Sequence, residues 1–299
     1  MSNHNETGSP NRREEGSSAG CLALQSGKEV TNKIAQKNYY DSCDNFDILE
    51  LGTTDRPENE CRKRFISRRA KTIAKLAGIE AGSTVLEVGC GTGIYTVHWL
   101  KSSGKICGLD ISRGMLARSR EKIKKIDSDD LLLIEGDSEQ LPFRNQRFDA
   151  VLSVNTIEHL DNVPAALREM KRVCRNGSRI VVSVPNGNFS AKHRAKLMQT
   201  IEWLTTRLFG VHASPEPARS RGDNFTHQDL SMNDLTGAFT EAGIRVEQKR
   251  FMGFIPHQTI PPGITRYLTW TDIMERVFEM IPGLRSVAGV IIVCGVVDL

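Results

Sequence analysis

The sequence feature that most constrains the fold is a short apolar run followed by three glycines at alternate positions. Residues 84–88 form a predicted buried strand, Gly89, Gly91 and Gly93 follow it, and a helix is predicted to begin near Ile94. Glycine has no Cβ atom, so the backbone of this turn can approach a ligand closely. The amide groups at the start of the following helix then face that ligand. The stretch therefore predicts an α/β sheet with a ligand site where its first strand ends.

Two details distinguish this loop from a dinucleotide-binding loop. The third glycine follows the second by two residues, whereas the dinucleotide pattern G-x-G-x-x-G has three. Glu87 also places a carboxylate before the first glycine, where a pyrophosphate would be repelled and a cationic ligand favoured. The pattern E-x-G-x-G-x-G resembles the cofactor loop of the class I S-adenosylmethionine-dependent methyltransferases, whose cofactor carries a sulfonium and an amino group. The resemblance implies that Glu87, Gly89, Gly91 and Gly93 bind this cofactor.

Acidic residues also follow the next two predicted strands. Asp110 ends the second strand, 17 residues after Gly93, where a carboxylate can accept hydrogen bonds from both ribose hydroxyls. In the resembling family, the acidic residue of a G-D-[AS]-x-x-L-P-F stretch receives the adenine amino group, and Asp137 occupies that position. The alternative is that Asp137 only caps the next turn. The same resemblance places Ile111 and Ser138 in the cofactor site.

The loop after the fourth strand contains the candidate catalytic residue. This loop, residues 155–160, leaves the sheet beside the glycine loop, so its polar groups are expected to face the methyl donor. We predict that Asn155 lies in the cofactor site and that His159 is a general base, because an unperturbed imidazole titrates near neutral pH. The alternative for His159 is a structural role at the start of the next helix.

Comparison of this loop with one known motif argues against a metal site. Some ubiquinone-pathway O-methyltransferases carry E-x-x-E-H here as a proposed metal site, and Asn155 replaces the first glutamate. No metal is therefore expected. Together the motifs cover about residues 60–185 and most resemble the ubiquinone and menaquinone methyltransferase-like enzymes (methyltransferase type 11).

The alternation of predicted strands and helices indicates the fold class. It is α/β, with a doubly wound, mostly parallel seven-stranded sheet of the Rossmann-like methyltransferase type; that the last two strands are antiparallel is implied by the resemblance. Residues 1–27 are polar and are expected to be a disordered tail. Residues 28–187 are expected to form N-terminal cap helices and the cofactor-binding core. A helical lid that contacts substrate is predicted for residues 188–228, after the fifth strand, and residues 229–299 complete the sheet.

Two basic helical segments leave alternatives open. In the predicted lid, apolar residues share one face, and such a helix could contact substrate, cover core or rest on a membrane surface. The helix predicted to begin at Asp55 carries cations that are interpreted as a solvated face, with contact of one of them to an anionic substrate as the alternative: Arg62, Lys63, Arg64, Arg68 and Arg69. The expected acceptor is a small, partly hydrophobic molecule, such as a quinone, polyketide, isoprenoid or glycolipid, with O-methylation preferred and a lipid-linked acceptor as one option.

Composition narrows the function further. A net charge of +4 without an aromatic-basic stripe does not indicate nucleic-acid binding. The seven cysteines are scattered singly, which excludes a C-x-x-C zinc pattern and fits a reducing cytoplasm. No run reaches the roughly 18 apolar residues of a membrane span. An NAD-dependent oxidoreductase is disfavoured by the glycine spacing and Glu87, while a non-catalytic S-adenosylmethionine-binding regulatory protein stays open. Neither the acceptor atom nor the oligomeric state follows from the residues.

Overall fold

A computed structural model describes most of the predicted core. The described ranges are 32–43, 57–124, 130–187, 227–254 and 273–299, together with Lys196, Gln199, Thr200, Trp203, Thr206 and Arg207. Residues 1–27, expected to be a disordered tail, lie outside these ranges. Almost all of the lid predicted for residues 188–228 lies outside them too and stays a prediction.

Seven strands form one sheet in the order β3-β2-β1-β4-β5-β7-β6. They are β1 (Thr84–Val88), β2 (Lys105–Asp110), β3 (Leu131–Glu135), β4 (Phe148–Val154), β5 (Cys174–Pro185), β6 (Arg245–Met252) and β7 (Val290–Val296). The first five strands pair in parallel, and β7 lies antiparallel between β5 and β6. The strand order reverses between β1 and β4, which is where ligands bind in open α/β sheets. The predicted mostly parallel, seven-stranded sheet is confirmed.

Helices connect the strands. They are α1 (32–42), α2 (Pro57–Ala77), α3 (Thr96–Trp99), α4 (Arg113–Ile123), α5 (Val163–Val173), α6 (Met232–Glu241) and α7 (273–280), with short 3-10 helices at Ile157–His159 and Pro282–Val287. Side-chain caps fix several starts: Ser112 accepts from the Met115 amide at 3.1 Å, and Asn162 accepts from the Ala165 amide at 3.0 Å. Ser231 and Asp234 form a capping box at the start of α6.

Apolar side chains cover both faces of the sheet. Alternate residues of a strand point to opposite faces, so Val85 packs with α2 and α3 whereas Leu86 packs with α5 and α6. The same alternation separates Val181 from Val182 in β5. Trp99, which is 1% exposed, also donates its indole N–H to the Ala70 carbonyl at 2.9 Å, tying α3 to α2. Helices cover both faces of the described part of the sheet, so a ligand can approach it at the ends of the strands.

Candidate functional site

An open cavity of about 690 Å³, including solvent at its mouth, lies where β1 to β4 end and is covered by α1. Seven of the ten predicted site residues line it: Gly89, Asp110, Ile111, Asp137, Ser138, Asn155 and His159. The other lining residues are Lys33, Gln36, Tyr40, Leu109, Met115, Gly136, Thr156 and Leu160. Glu87, Gly91 and Gly93 are not among the lining residues. A concave pocket at this end of an open α/β sheet is typical of a small-ligand site.

The glycine loop packs directly against the loop after β4. Gly89 has a φ of +73°, and a Cβ atom there would lie 2.1 Å from Thr156 Oγ1. Thr156 in turn donates its hydroxyl to the Gly89 carbonyl at 3.3 Å. Gly93 also has a positive φ, +77°, and a Cβ there would lie 2.6 Å from Ser119 Oγ of α4. The structure therefore requires glycine at position 89 at the cavity wall, and at position 93 for helix packing.

Asp110 is held in place by backbone donors. Its Oδ2 accepts from the Gly91 amide at 2.8 Å, and its Oδ1 accepts from the Ser112 amide at 2.9 Å. Burial raises the pKa of Asp110, although these backbone hydrogen bonds oppose the rise. Each carboxylate oxygen can accept a second hydrogen bond, so Asp110 keeps acceptor capacity for ligand hydroxyls.

Glu87 lies behind the glycine loop. It is 2% exposed, and its Oε2 accepts the Thr96 hydroxyl at 2.5 Å. Burial is the main cause that raises the pKa of Glu87 to about 8, with a further contribution from the Asp110 charge. In the structure, Glu87 therefore supports the first residue of α3, and direct contact with a cofactor stays a prediction.

Asp137 bonds to both its own turn and α1. Its Oδ1 accepts from the Glu139 amide at 2.9 Å, the turn-capping contact considered as the alternative. Its Oδ2 accepts from Lys33 Nζ at 2.8 Å, and Lys33 also reaches Glu139 Oε2 at 2.7 Å. Although burial opposes it, these two hydrogen bonds raise the pKa of Lys33. The lysine thus remains charged and fastens α1 over the cavity.

Polar contacts hold the rest of α1 on the cavity. Gln36 Nε2 donates to the His159 carbonyl at 2.5 Å. Lys37 forms an ion pair with Glu135, and Asp41 Oδ1 accepts from the Gly114 amide at 2.8 Å. Tyr40 of α1 also lines the cavity. Because ion pairs contribute much of this contact, the attachment of α1 is expected to weaken at high salt.

His159 ends the 3-10 helix and faces several groups. Its Nε2 lies 3.4 Å from the Tyr40 hydroxyl, and its ring meets the His227 ring edge to face with centroids 4.4 Å apart. The Gln228 amide donates to the Glu158 carbonyl at 2.7 Å. Residues 227 and 228 are the last two of the segment predicted as a lid, so the end of that segment contacts the loop that carries the candidate base.

Arg69 contacts the cavity wall through Asn155, a contact that the sequence interpretation missed. It is 2% exposed, so its assignment to a solvated face is wrong. Within the described residues, its hydrogen bonds go only to uncharged oxygens: Ser183 Oγ at 2.9 Å, Tyr95 Oη at 3.2 Å and Asn155 Oδ1 at 2.8 Å. A signal was present, because position 69 lies four residues from both Phe65 and Ile73 and hence on the apolar face of α2.

Within the described ranges, no three His, Cys, Asp or Glu side chains come together in a way that could hold a metal ion. None of the helices in the described part of the chain is long and apolar enough to cross a membrane.

Part of the chain is similar in sequence to known methyltransferases. Residues 86–182 match the family model described as "Methyltransferase domain". The demethylmenaquinone methyltransferase of Tropheryma whipplei (strain Twist) is 35% identical over 112 residues, covering 38% of this chain and 46% of that protein. That of Listeria welshimeri is 34% identical over 130 residues, covering 42% and 55%. The chain thus spans about half the length of the curated relatives it matches.

The overall fold also matches solved structures. A chain from the complex between the Haloferax volcanii Trm112 methyltransferase activator and a methyltransferase aligns with a TM-score of 0.56 at 19% identity, covering 87% of this chain and 97% of that one. At this identity the likeness concerns the fold alone. The motifs, the sheet and the domain match together show a methyltransferase domain on a Rossmann-like fold, similar to the class I S-adenosylmethionine-dependent methyltransferases of the menaquinone and ubiquinone methyltransferase type.

Proposed function

We propose that the chain transfers a methyl group from S-adenosylmethionine to a small, partly hydrophobic acceptor, preferably at a hydroxyl oxygen. The observation that carries this proposal is that Gly89, Asp110, Asp137 and His159, which follow four different strands, line one cavity. The names of the curated relatives support a quinone-like acceptor. Polyketide, isoprenoid, glycolipid and lipid-linked acceptors share its hydrophobic character.

The cavity residues suit the parts of the cofactor. Asp110 can accept hydrogen bonds from ribose hydroxyls, and Asp137 can accept one from the adenine amino group. Ile111 and Ser138 lie beside these carboxylates, and Gly89 leaves room for close approach. When bound, S-adenosylmethionine supplies an electrophilic methyl group on a sulfonium, so the protein mainly needs to align the acceptor and exclude water.

Arg69 suits the remaining anionic group of the cofactor, the methionine carboxylate. A guanidinium does not lose its proton in proteins, and a buried charge without an anionic partner is costly. Arg69 is buried, and it reaches the cavity wall by donating to Asn155. A carboxylate bound at this end of the cavity would offset the charge. We therefore assign Arg69, acting with Asn155, to the carboxylate end of the cofactor.

His159 is proposed to accept the proton of the acceptor hydroxyl. It lines the cavity, and its Nε2 lies 3.4 Å from the Tyr40 hydroxyl. The Gln36 bond to its carbonyl and the contact with His227 restrict the position of the ring. A positioned base of this kind contributes about 10² to 10⁴ in rate. Meanwhile α1 covers the cavity and limits the access of water.

The test is transfer of radiolabelled methyl from S-adenosylmethionine to a panel of hydroxylated acceptors. The panel contains a reduced demethylmenaquinone with a short side chain and simpler dihydroxybenzenes. We expect label in an extractable product, and His159→Gln should lower turnover about 10²-fold or more with unchanged affinity for S-adenosylhomocysteine. His98→Gln is the control, because His98 lies in α3 and does not line the cavity. Unchanged turnover in His159→Gln would remove the base, and cofactor binding without transfer to any acceptor would favour a regulatory protein.

A further inference from the structure

The outer face of α7 and the residue after it carry four exposed apolar side chains. The exposed fractions are 54% for Ile273, 40% for Val277, 77% for Met280 and 42% for Ile281. Their spacing places them on one side of the helix. Exposed hydrophobics that occur singly, such as Leu132, are normal. Four exposed apolar side chains on one helix face are unusual, and apolar patches of this kind mark interaction sites.

Contacts on the opposite side fix the orientation of α7. Glu275, which is 6% exposed, accepts from the Gly253 amide at 3.1 Å and lies 3.4 Å from Arg68 Nη2. The ring of Phe278 packs against Phe254 with centroids 6.1 Å apart. The apolar face therefore points away from the protein because the other face is tied to it.

The acidic and basic side chains of this segment differ in their contacts. Its acidic residues within 273–287 are Glu275 and Glu279, and both form ion pairs with arginines of the protein, Glu279 with Arg250 at 3.6 Å. By contrast, Arg276 is exposed on α7, and Arg285 is exposed in the 3-10 helix that follows. The outer surface thus combines apolar and cationic groups, which complements an anionic membrane surface.

The position of α7 adds a functional reason. The helix packs against Gly253 and Phe254, which directly follow β6. Strand β6 runs in the same direction as β5, because both are antiparallel to β7. The helix therefore lies at the edge of the sheet where the parallel strands end, the edge that also holds the cavity. A membrane bound there would lie beside the open end of the sheet.

We propose that this outer face, formed by Ile273, Val277, Met280 and Ile281 with Arg276 and Arg285, docks onto an anionic lipid bilayer. Arginines at the rim pair with lipid phosphates, and the apolar side chains enter the boundary between headgroups and acyl chains. Vesicle binding needs neither cofactor nor acceptor, so the docking face can fail or succeed apart from methyl transfer.

The test is co-sedimentation of the full chain with phosphatidylcholine vesicles, with and without phosphatidylglycerol. We expect binding only when phosphatidylglycerol is present and weaker binding as salt rises. The double variant Val277→Ser with Met280→Ser should bind about tenfold or more weakly, since two apolar side chains no longer enter the bilayer. Arg276→Glu should bind more weakly and with less dependence on salt. All substituted positions are exposed, so thermal melts should show folded proteins.

Leu132→Ser is the matched control, because Leu132 is 57% exposed but lies in β3 at the opposite end of the sheet from β6. It should bind vesicles like the unaltered protein. Failure to bind anionic vesicles would overturn the proposal, as would binding that survives in the double variant or is lost equally in the control. Light scattering provides one further outcome. If the double variant is a monomer where the unaltered protein is a dimer, and vesicle binding is unchanged, the face binds a second copy of the chain and the proposal is overturned.

Discussion

Burial of Glu87 predicts a stability that depends on pH. The carboxyl group is 2% exposed and accepts the Thr96 hydroxyl at 2.5 Å. Burial raises its pKa from 4.5 to about 8. The folded protein therefore holds this proton over a pH range in which the unfolded chain has already released it. Glu87→Gln tests the effect, because the amide oxygen can still accept from Thr96 but the side chain cannot ionise.

The sign and size of the effect follow from the two pKa values. The stability that protonated Glu87 contributes is fully present below pH 4.5, falls as the pH rises, and is lost above about pH 8. At about 1.4 kcal/mol per pH unit, the difference corresponds to about 5 kcal/mol of unfolding free energy. The variant lacks this loss, so it should become more stable than the unaltered protein at alkaline pH.

Urea unfolding of both proteins between about pH 5 and about pH 9 measures this difference. We expect the unfolding free energy of the unaltered protein to fall by several kcal/mol relative to that of Glu87→Gln. Glu121→Gln is the control, because that carboxylate is 71% exposed and its ion-pair partner, Lys124, is 70% exposed. Parallel curves for the unaltered protein and Glu87→Gln would refute the account of Glu87 as a buried, protonated group.

Three further predictions concern the walls of the cavity. Arg69→Met should weaken S-adenosylhomocysteine binding about 10- to 100-fold, measured by calorimetry. The control is Arg64→Met, because Arg64 is exposed. An unchanged affinity in Arg69→Met would remove Arg69 from the site. Gly89→Ala places a Cβ atom 2.1 Å from Thr156 Oγ1 at a residue whose φ is +73°. The substitution should lower the unfolding free energy by about 2–4 kcal/mol. A loss below about 1 kcal/mol in urea unfolding would contradict this prediction. Lys33→Met removes two ion pairs that hold α1. In stopped-flow measurements S-adenosylhomocysteine should leave the variant faster, and the rate of release should depend less on salt. An unchanged release rate would show that α1 does not retain the ligand.

The fold could be predicted because buried parallel strands leave a clear pattern. Apolar runs that end at glycine, aspartate or asparagine marked β1, β2 and β4 almost to the residue. Ends without such a signal were less accurate. The last strand begins at Val290 rather than at the predicted Val287, because Pro282–Val287 forms a 3-10 helix. The fifth strand begins at Cys174 rather than at Arg179, because pairing with β4 extends past Gly177.

The candidate site was predictable wherever a polar residue ends a strand or directly follows it. Asp110 and Asn155 lie at such positions, and the shared direction of the strands brings them to one cavity. Glu87 differs because it lies within β1. Its neighbours Leu86 and Val88 face α5 and α6, so its own side chain points to the opposite face and meets α3.

Arg69 could not be assigned from charge alone. It stands in a run of cations of which Lys63 and Arg64 are exposed, so composition suggested a solvated face. Only the spacing of the apolar residues in α2 distinguishes it from them. The position of a cation relative to the apolar residues of its helix is therefore a better indication of its burial than its charge is.

The most direct test of the central claim is calorimetric titration of the full chain with S-adenosylhomocysteine and, in parallel, with NADH. The account predicts binding of S-adenosylhomocysteine at about micromolar Kd, no binding of NADH, and loss of binding in Asp110→Asn, with circular dichroism confirming that the variant is folded. Preference for NADH, or no binding of S-adenosylhomocysteine to the folded unaltered protein, would contradict the account from the glycine loop onward.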